Sequence, residues 1–206
     1  MQNILWKISF PAEFHAQTAV ECAITLHPQV VSKLEEIERI EIKTQEAAMR
    51  IINKNGALHN PADRDHCLQY MIAVGLLEGD LSAEHYEDSY TESTTIDKLR
   101  NIMHVTENRQ FTLDYLDPTK RSIANSVQVF YQDGSSTEEI TVEYPIGHRR
   151  RRREGVPVLI NKFKQAIDDH YGNDQAKTIQ AKLLDYEGLL NLEVTEIMDI
   201  LAKKTE

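Results

Sequence analysis

Lys7, His15 and the arginines Arg149 to Arg153 are the side chains here whose types suit work on an anion. An ammonium is a compact point charge, and a guanidinium is a planar fork that meets a carboxylate at two points. An imidazole gives or takes a proton near neutral pH. Five consecutive arginines cannot all face one ligand, because neighbouring side chains diverge in any backbone conformation. Two of them, taken as Arg150 and Arg151, can converge on one anion, with the others solvated or paired to acids. The plainer reading is a solvated basic loop, framed by the turn signals Pro145, Gly147, Gly155 and Pro157. The other candidates have plain readings too. His148 reads as a surface residue of that loop, His15 as a helix cap or core partner, and Tyr70 as a buried phenol needing only a hydrogen-bond partner.

The body carrying these cations is acidic: 33 Asp and Glu against 23 Lys and Arg give a net charge of −10 over 206 residues. A general nucleic-acid binder needs a broad basic face to displace counterions, so nucleic acid is not an expected partner. The arginine run is a local device on a repelling surface. No apolar run approaches the length of a membrane span, and the first residues lack signal-peptide anatomy. Cys22 and Cys67 lie far apart in apolar helical surroundings. They point to buried thiols in a reducing compartment, with neither a disulfide framework nor an iron–sulfur cluster.

The elements that must position these residues follow from periodicity. Ile4 to Phe10 reads as a strand or extended lead-in, with Lys7 the odd residue out. Pro11-Ala-Glu opens a helix with Phe14, Val20, Ile24 and Leu26 on its apolar side, running to Pro28. Residues 37–44 alternate apolar and charged, as a half-buried strand does. A short helix follows over 45–53, closed by Asn55-Gly56. Residues 60–79 predict one helix buried nearly all round and stopped at Gly79. Two shorter polar helices are expected at 82–89 and 93–101, then a brief strand at 102–105. Residues 123–132 and 137–144 form the arms of a hairpin about Asp133-Gly134. The section to residue 145 is therefore expected to be α+β, an antiparallel sheet with helices on one face. Residues 146–206 are expected to hold the arginine loop and three helices, 156–170, 174–186 and 194–203, whose apolar faces bury one another only in part.

Nucleotide and metal chemistry find no motif. Neither the dinucleotide fingerprint nor the phosphate-binding loop occurs, so no cofactor is expected. Asp63-Arg-Asp-His66 has ligand-type residues, but it is one helical turn without a converging partner, and no HExxH or CxxC spacing exists, so no metal is expected either. Lysine, histidine and arginines in an acidic protein leave a small anionic substrate as the general expectation.

Three ordered blocks sharpen that expectation. Lys7-Ile-Ser-Phe-Pro-Ala-Glu-Phe-His-Ala-Gln-Thr-Ala19, Asn60-Pro-Ala-Asp-Arg-Asp-His-Cys-Leu-Gln-Tyr-Met-Ile-Ala-Val74 and Val142-Glu-Tyr-Pro-Ile-Gly-His148 with its arginines resemble the methylcitrate dehydratase branch of the MmgE/PrpD superfamily. The resemblance runs over essentially the whole chain. It implies a lyase that removes water from 2-methylcitrate, a tricarboxylate, to give 2-methyl-cis-aconitate in propionate breakdown, without an iron–sulfur cluster. It also implies a large helical domain and a smaller α+β lid with the active site between them, and a cytoplasmic or, in a eukaryote, mitochondrial-matrix location. Family members run to well over twice this length, so the chain corresponds to the lid and the C-terminal helices. Its expected partners are the N-terminal helical half and, as is common in the family, a second copy in a homodimer. By resemblance Lys7 reaches the substrate pocket, His15 lies near it and assists proton transfer, Tyr70 faces it, and Arg150 and Arg151 contact either a substrate carboxylate or the partner surface. The principal base belongs to the helical half. Decarboxylation of cis-aconitate, a related activity, fits less well with the Phe10-Pro11…His15 spacing. A non-catalytic interaction module, or one half of a split enzyme, is the alternative function.

Overall fold

The computed structural model describes residues 6–90 and 94–202. They fall into two compact units, one up to Arg152 and one from Arg153.

The first unit begins with an irregular lead-in over residues 6–13; no strand forms in this described part, and Ile4 and Leu5 lie outside the described residues. Ile8 is buried, and the Trp6 carbonyl rests against Gly147. A Cβ at Gly147 would lie 2.2 Å from that oxygen, and φ there is +103°, so only glycine serves. The first helix starts later than its Pro-Ala-Glu signal. Glu13 caps a 3-10 turn over Phe14–Ala16, and α1 (Gln17–Val30) follows. Pro28 does not stop α1, whose last turn is drawn on by the full burial of Val30.

β1 (Ile37–Thr44) matches its alternating pattern, with a register shift between Ile37 and Arg39 that keeps both Ile37 and Ile40 facing the core. The Gln45 side chain caps α2 (Glu46–Ile51) by accepting from the Ala48 N–H at 3.1 Å. The single helix expected over 60–79 is two, α3 (Pro61–Asp65) and α4 (Leu68–Glu78), broken by an extended Cys67. The break costs no donor, because the Leu68 N–H bonds the Ile52 carbonyl at 2.8 Å. Gly79, at φ +68°, ends α4 as expected. At its middle, a Cβ on Gly75 would stand 2.9 Å from that of Ala23, so this glycine lets α4 and α1 approach closely.

A 3-10 turn at Ala83–Tyr86 precedes α5 (Thr94–Asn101) and β2 (Met103–Glu107). α6 (Arg109–Leu116), which has no counterpart in the sequence reading, is capped by Asn108 at the backbone N–H groups of Gln110 and Phe111. β3 (Asn125–Tyr131) and β4 (Ile140–Val142) form the expected hairpin. Among the described residues the sheet order is β2-β1-β3-β4. The antiparallel expectation holds for β1–β3 and β3–β4 but not for β2, which runs parallel to β1 because helices α2 to α5 carry the chain back across. The fold class is α+β. The core is built from Ala19, Val20, Ala23 and Leu26 of α1, the buried middle of α4, and Ile40, Ile42, Val127 and Val129 of the sheet.

The arginine run is not a loop. Arg149–Arg151 form a 3-10 turn and α7 (Arg152–His170) continues from it. Arginine is a good helix former, and the His148 side chain caps the turn by accepting from the Arg150 N–H at 3.2 Å. Pro157, read as a boundary, sits inside α7. α8 (Asn173–Leu184), α9 (Tyr186–Leu189) and α10 (Val194–Leu201) complete the second unit. Ala176 and Ile179 are buried there, while Tyr186, Leu190, Val194 and Met198 stay 61–74% exposed. Among the described residues no helix is long and apolar enough to cross a membrane.

Candidate functional site

His15 sits in the 3-10 turn between two hydrogen-bonding neighbours. Its Nδ1 lies 2.8 and 3.1 Å from the two Glu13 carboxylate oxygens, and its Nε2 is 3.2 Å from the Tyr115 hydroxyl. The Glu13 carboxylate also accepts the His15 backbone N–H at 2.8 Å, so the capping residue holds both the turn and the ring. His15 and Glu13 side chains are each 14% exposed. From below, the Asn125 amide donates to the His15 carbonyl at 2.8 Å. Burial pushes the Glu13 carboxyl up, but the hydrogen bond and charge of His15 outweigh it, with a smaller pull from His66, and leave it below 4.5. An ionised carboxylate only accepts. Nδ1 therefore carries a hydrogen, and Nε2 faces Tyr115, which α6 supplies. The plain reading of His15 as a cap partner thus holds together with a ring aimed at a cavity. That cavity, about 200 Å³, is lined by Phe14, His15, Tyr115, Arg121 and Ile123.

Arg121 enters it from an uncommon backbone, φ +50° in a non-glycine residue, a conformation costing about 1–2 kcal/mol. The loop after α6 imposes it: the N–H groups of Arg121 and Ser122 bond the carbonyls of Asp117 and Asp114 at 2.8 and 3.2 Å.

The other residues singled out from the sequence lie apart. Lys7 is exposed on the lead-in. Tyr70 is 3% exposed, donates its hydroxyl to the His85 carbonyl, and stacks on Tyr86 with ring centres 6.0 Å apart. Burial pushes its phenol up to about 12. It lines a different cavity, about 380 Å³, with Arg64, Asp97, Arg100 and Asn101 among its walls. Both arginines there are engaged, Arg64 with Asp88 at 2.6 Å and Arg100 with Asp97 and the Gly56 carbonyl at 2.7 Å each.

Arg151 forks onto the two Glu21 oxygens at 2.8 Å each and also donates to the Tyr144 carbonyl at 2.7 Å. Arg150 donates to the Tyr144 hydroxyl at 2.7 Å and the Thr119 carbonyl at 3.3 Å, with its guanidinium 4.8 Å from the Tyr144 ring centre. Arg152 lies 4.5 Å from the Trp6 ring centre. Neither Arg150 nor Arg151 lines the His15 cavity. His148, expected at the surface, is only 1% exposed and packs against Tyr144 at 4.6 Å. Its imidazole is held below 6.5, first by burial and then by the charges of Arg149, Arg150 and Arg152.

Among the described residues no three His, Cys, Asp or Glu side chains converge to hold a metal ion. Cys22 and Cys67 are free and buried, and burial raises the Cys22 thiol to about 12. Sequence reasoning missed Tyr115 and Arg121, which come from a helix and loop about 100 positions from His15. For Glu13 the Glu-x-His spacing was a usable signal.

The fold and this arrangement define an α+β domain with a carboxylate-oriented histidine at the rim of a small cavity. The family model of the MmgE/PrpD C-terminal domain matches residues 10–186, and the chain belongs to that family. It is 48% identical over 203 residues to a 2-methylcitrate dehydratase of Escherichia coli K12, covering 97% of this chain and 42% of that relative. It is 46% identical over 208 residues to a mitochondrial 2-methylcitrate dehydratase of Yarrowia lipolytica, covering 99% and 39% respectively. A 2-methylcitrate dehydratase-like protein of Aspergillus oryzae is 45% identical over 158 residues, 73% of this chain and 32% of that relative. The chain thus spans about two-fifths of the length of the first two.

Proposed function

We propose that this chain is the lid-forming C-terminal portion of a hydro-lyase that converts 2-methylcitrate to 2-methyl-cis-aconitate in propionate breakdown. The observation carrying this reading is the 48% identity, over nearly the whole chain, to a protein named for that activity. The reaction needs a base for a proton alpha to a carboxylate, an acid for the departing hydroxyl, and cations for the substrate carboxylates. Lys7, exposed and close in sequence to the His15 turn, anchors a carboxylate or stabilises charge gathering beside one. His15, oriented by Glu13, assists proton transfer. The principal base comes from a helical section acting with this chain, on the same or a separate polypeptide. Arg150 keeps a lesser claim on substrate through its exposed edge. The forks of Arg151 and the hydroxyl of Tyr70 are engaged within the fold, which favours positioning roles for both. No cofactor is invoked. The compartment is the cytoplasm or, in a eukaryotic cell, the mitochondrial matrix.

The second reading is an interaction module or one half of a split enzyme, possessing no turnover of its own. The exposed Tyr186, Leu190, Val194 and Met198 favour it, because an apolar set of this size gains by being covered. One experiment separates the two. The ultraviolet absorbance of the conjugated product is followed after adding 2-methylcitrate to the chain alone, and then with a separately expressed helical section from a relative. Turnover only with both supports the two-part site. Turnover by the chain alone reassigns the principal base to this chain, and silence in both favours the module.

A further inference from the structure

The wall of the His15 cavity includes a cation, Arg121, that is exposed to solvent. Arg121 makes no side-chain hydrogen bond or ion pair among the described residues, although acids surround its loop. Those acids are committed elsewhere. Asp114 holds Lys120 at 2.7 Å, Asp117 holds the Thr119 hydroxyl and backbone N–H at 2.7 and 2.8 Å, and Glu13 is bound to the far side of the His15 ring. The loop's backbone bonds meanwhile keep Arg121 in a left-handed conformation that arginine rarely adopts.

We infer that this cavity is a carboxylate subsite, with Arg121 as its anchor and Tyr115 and His15 as its polar wall. The inference rests on the reading of the chain as part of a tricarboxylate lyase, and adds to it two residues that the sequence did not indicate. A guanidinium fork matches a carboxylate in the plane of both groups. Phe14 and Ile123 supply apolar walls beside the exposed guanidinium. Tyr115 serves in either protonation state of its neighbour. It donates to Nε2 of a neutral imidazole. Beside an imidazolium it accepts from Nε2 and turns its own hydrogen toward the ligand. The volume, about 200 Å³, is below the roughly 300–1,000 Å³ of ordinary ligand clefts. It therefore takes one carboxylate arm and leaves the rest of the molecule outside the mouth, within reach of other groups.

The test uses the full 206-residue chain and citrate as the probe, at constant ionic strength, with inorganic phosphate as the competing anion. The ring signals of His15 and the Nε–H signal of Arg121 are followed by NMR, and affinity by calorimetry. Citrate is expected to move both signals and to bind more tightly than phosphate. Arg121→Gln should weaken it by about tenfold or more, as loss of a charge-assisted contact does. Tyr115→Phe should weaken it less, and Arg150→Gln by less than about twofold. Arg121→Gly, which suits the left-handed backbone, should stay folded and lose binding as Arg121→Gln does. Unmoved His15 signals, equal binding of phosphate, or unchanged citrate affinity in the folded Arg121 variants would each overturn the subsite. Citrate binding that depends on Arg121, in a chain showing no dehydratase turnover with its helical section, retains the subsite and removes the lyase reading. Turnover that is indifferent to Arg121 does the reverse.

Discussion

The His15 turn and the arginine turn use the same chemical groups to opposite ends. Each sets nitrogen donors against a carboxylate and a tyrosine at the start of helical structure. At Arg149–Arg151 the guanidiniums are engaged within the fold: Arg149 donates to the Thr119 carbonyl, Glu21 fills the fork of Arg151, and Tyr144 takes Arg150 on its hydroxyl and Arg151 on its carbonyl. Around His15 the carboxylate is spent on a ring nitrogen, and the nearby guanidinium of Arg121 has no such partner among the described residues. Abundance of a residue type therefore misleads about where chemistry lies. Arginines engaged by partners within the chain hold a fold, whereas the inferred subsite is placed at a single one held in a strained backbone beside a cavity.

This contrast can be broken by mutation. The largest effect is expected at Gly147→Ala, where both the contact with the Trp6 carbonyl and the positive φ forbid a side chain. A loss of about 3 kcal/mol or more in denaturant unfolding is expected, and a loss below about 1 kcal/mol would mean that the arginine turn tolerates rearrangement. Next, Arg151→Ala should cost about 2 kcal/mol, since it strips a half-buried bidentate pair. Arg150→Ala, at an exposed contact, should cost less than about 1 kcal/mol, and equal costs would erase the distinction between the two arginines. On the other side of the comparison, Arg121→Gly should raise stability by about 1 kcal/mol through relief of backbone strain. A fall in stability would make Arg121 a structural residue after all.

The smallest effect concerns pH. His148 has a folded value below 6.5, so between that value and 6.5 the unfolded chain binds more protons than the folded one. Stability should then rise as pH increases through this window and level off above 6.5. Urea unfolding from pH 5 to 7.5 should show this slope and its flattening in His148→Gln. An identical slope in the variant would assign it to other groups.

Legibility in the sequence followed the range of the forces. β1 and the hairpin were readable because their apolar residues alternate with the strand period, and the middle of α4 because its apolar run is unbroken. Local capping then decided what punctuation alone had misjudged. Asn108 starts a helix where no apolar stripe announced one, and His148 turns a loop between glycine and proline into a helical start. The break at Cys67 depends on an acceptor at Ile52, brought close only by the fold. The site was half legible for the same reason. Glu13 is two residues from His15, but Tyr115 is 100 away, and no local pattern encodes that meeting.

The sheet order also has a consequence for how the chain is made. β1 pairs Ile40 with Met103 on one edge and Ile37 with Tyr131 on the other, so neither neighbour exists when β1 leaves the ribosome. At about 5–20 residues per second the second edge arrives several seconds later. Until β2 emerges β1 is open on both edges, and until β3 emerges on one, with Ile37, Ile40 and Ile42 of its apolar face able to pair with another nascent chain. Synthesis that stalls before β3 should therefore produce aggregates rather than a folded intermediate, and a chaperone that covers β1 during that interval should raise the yield of folded protein.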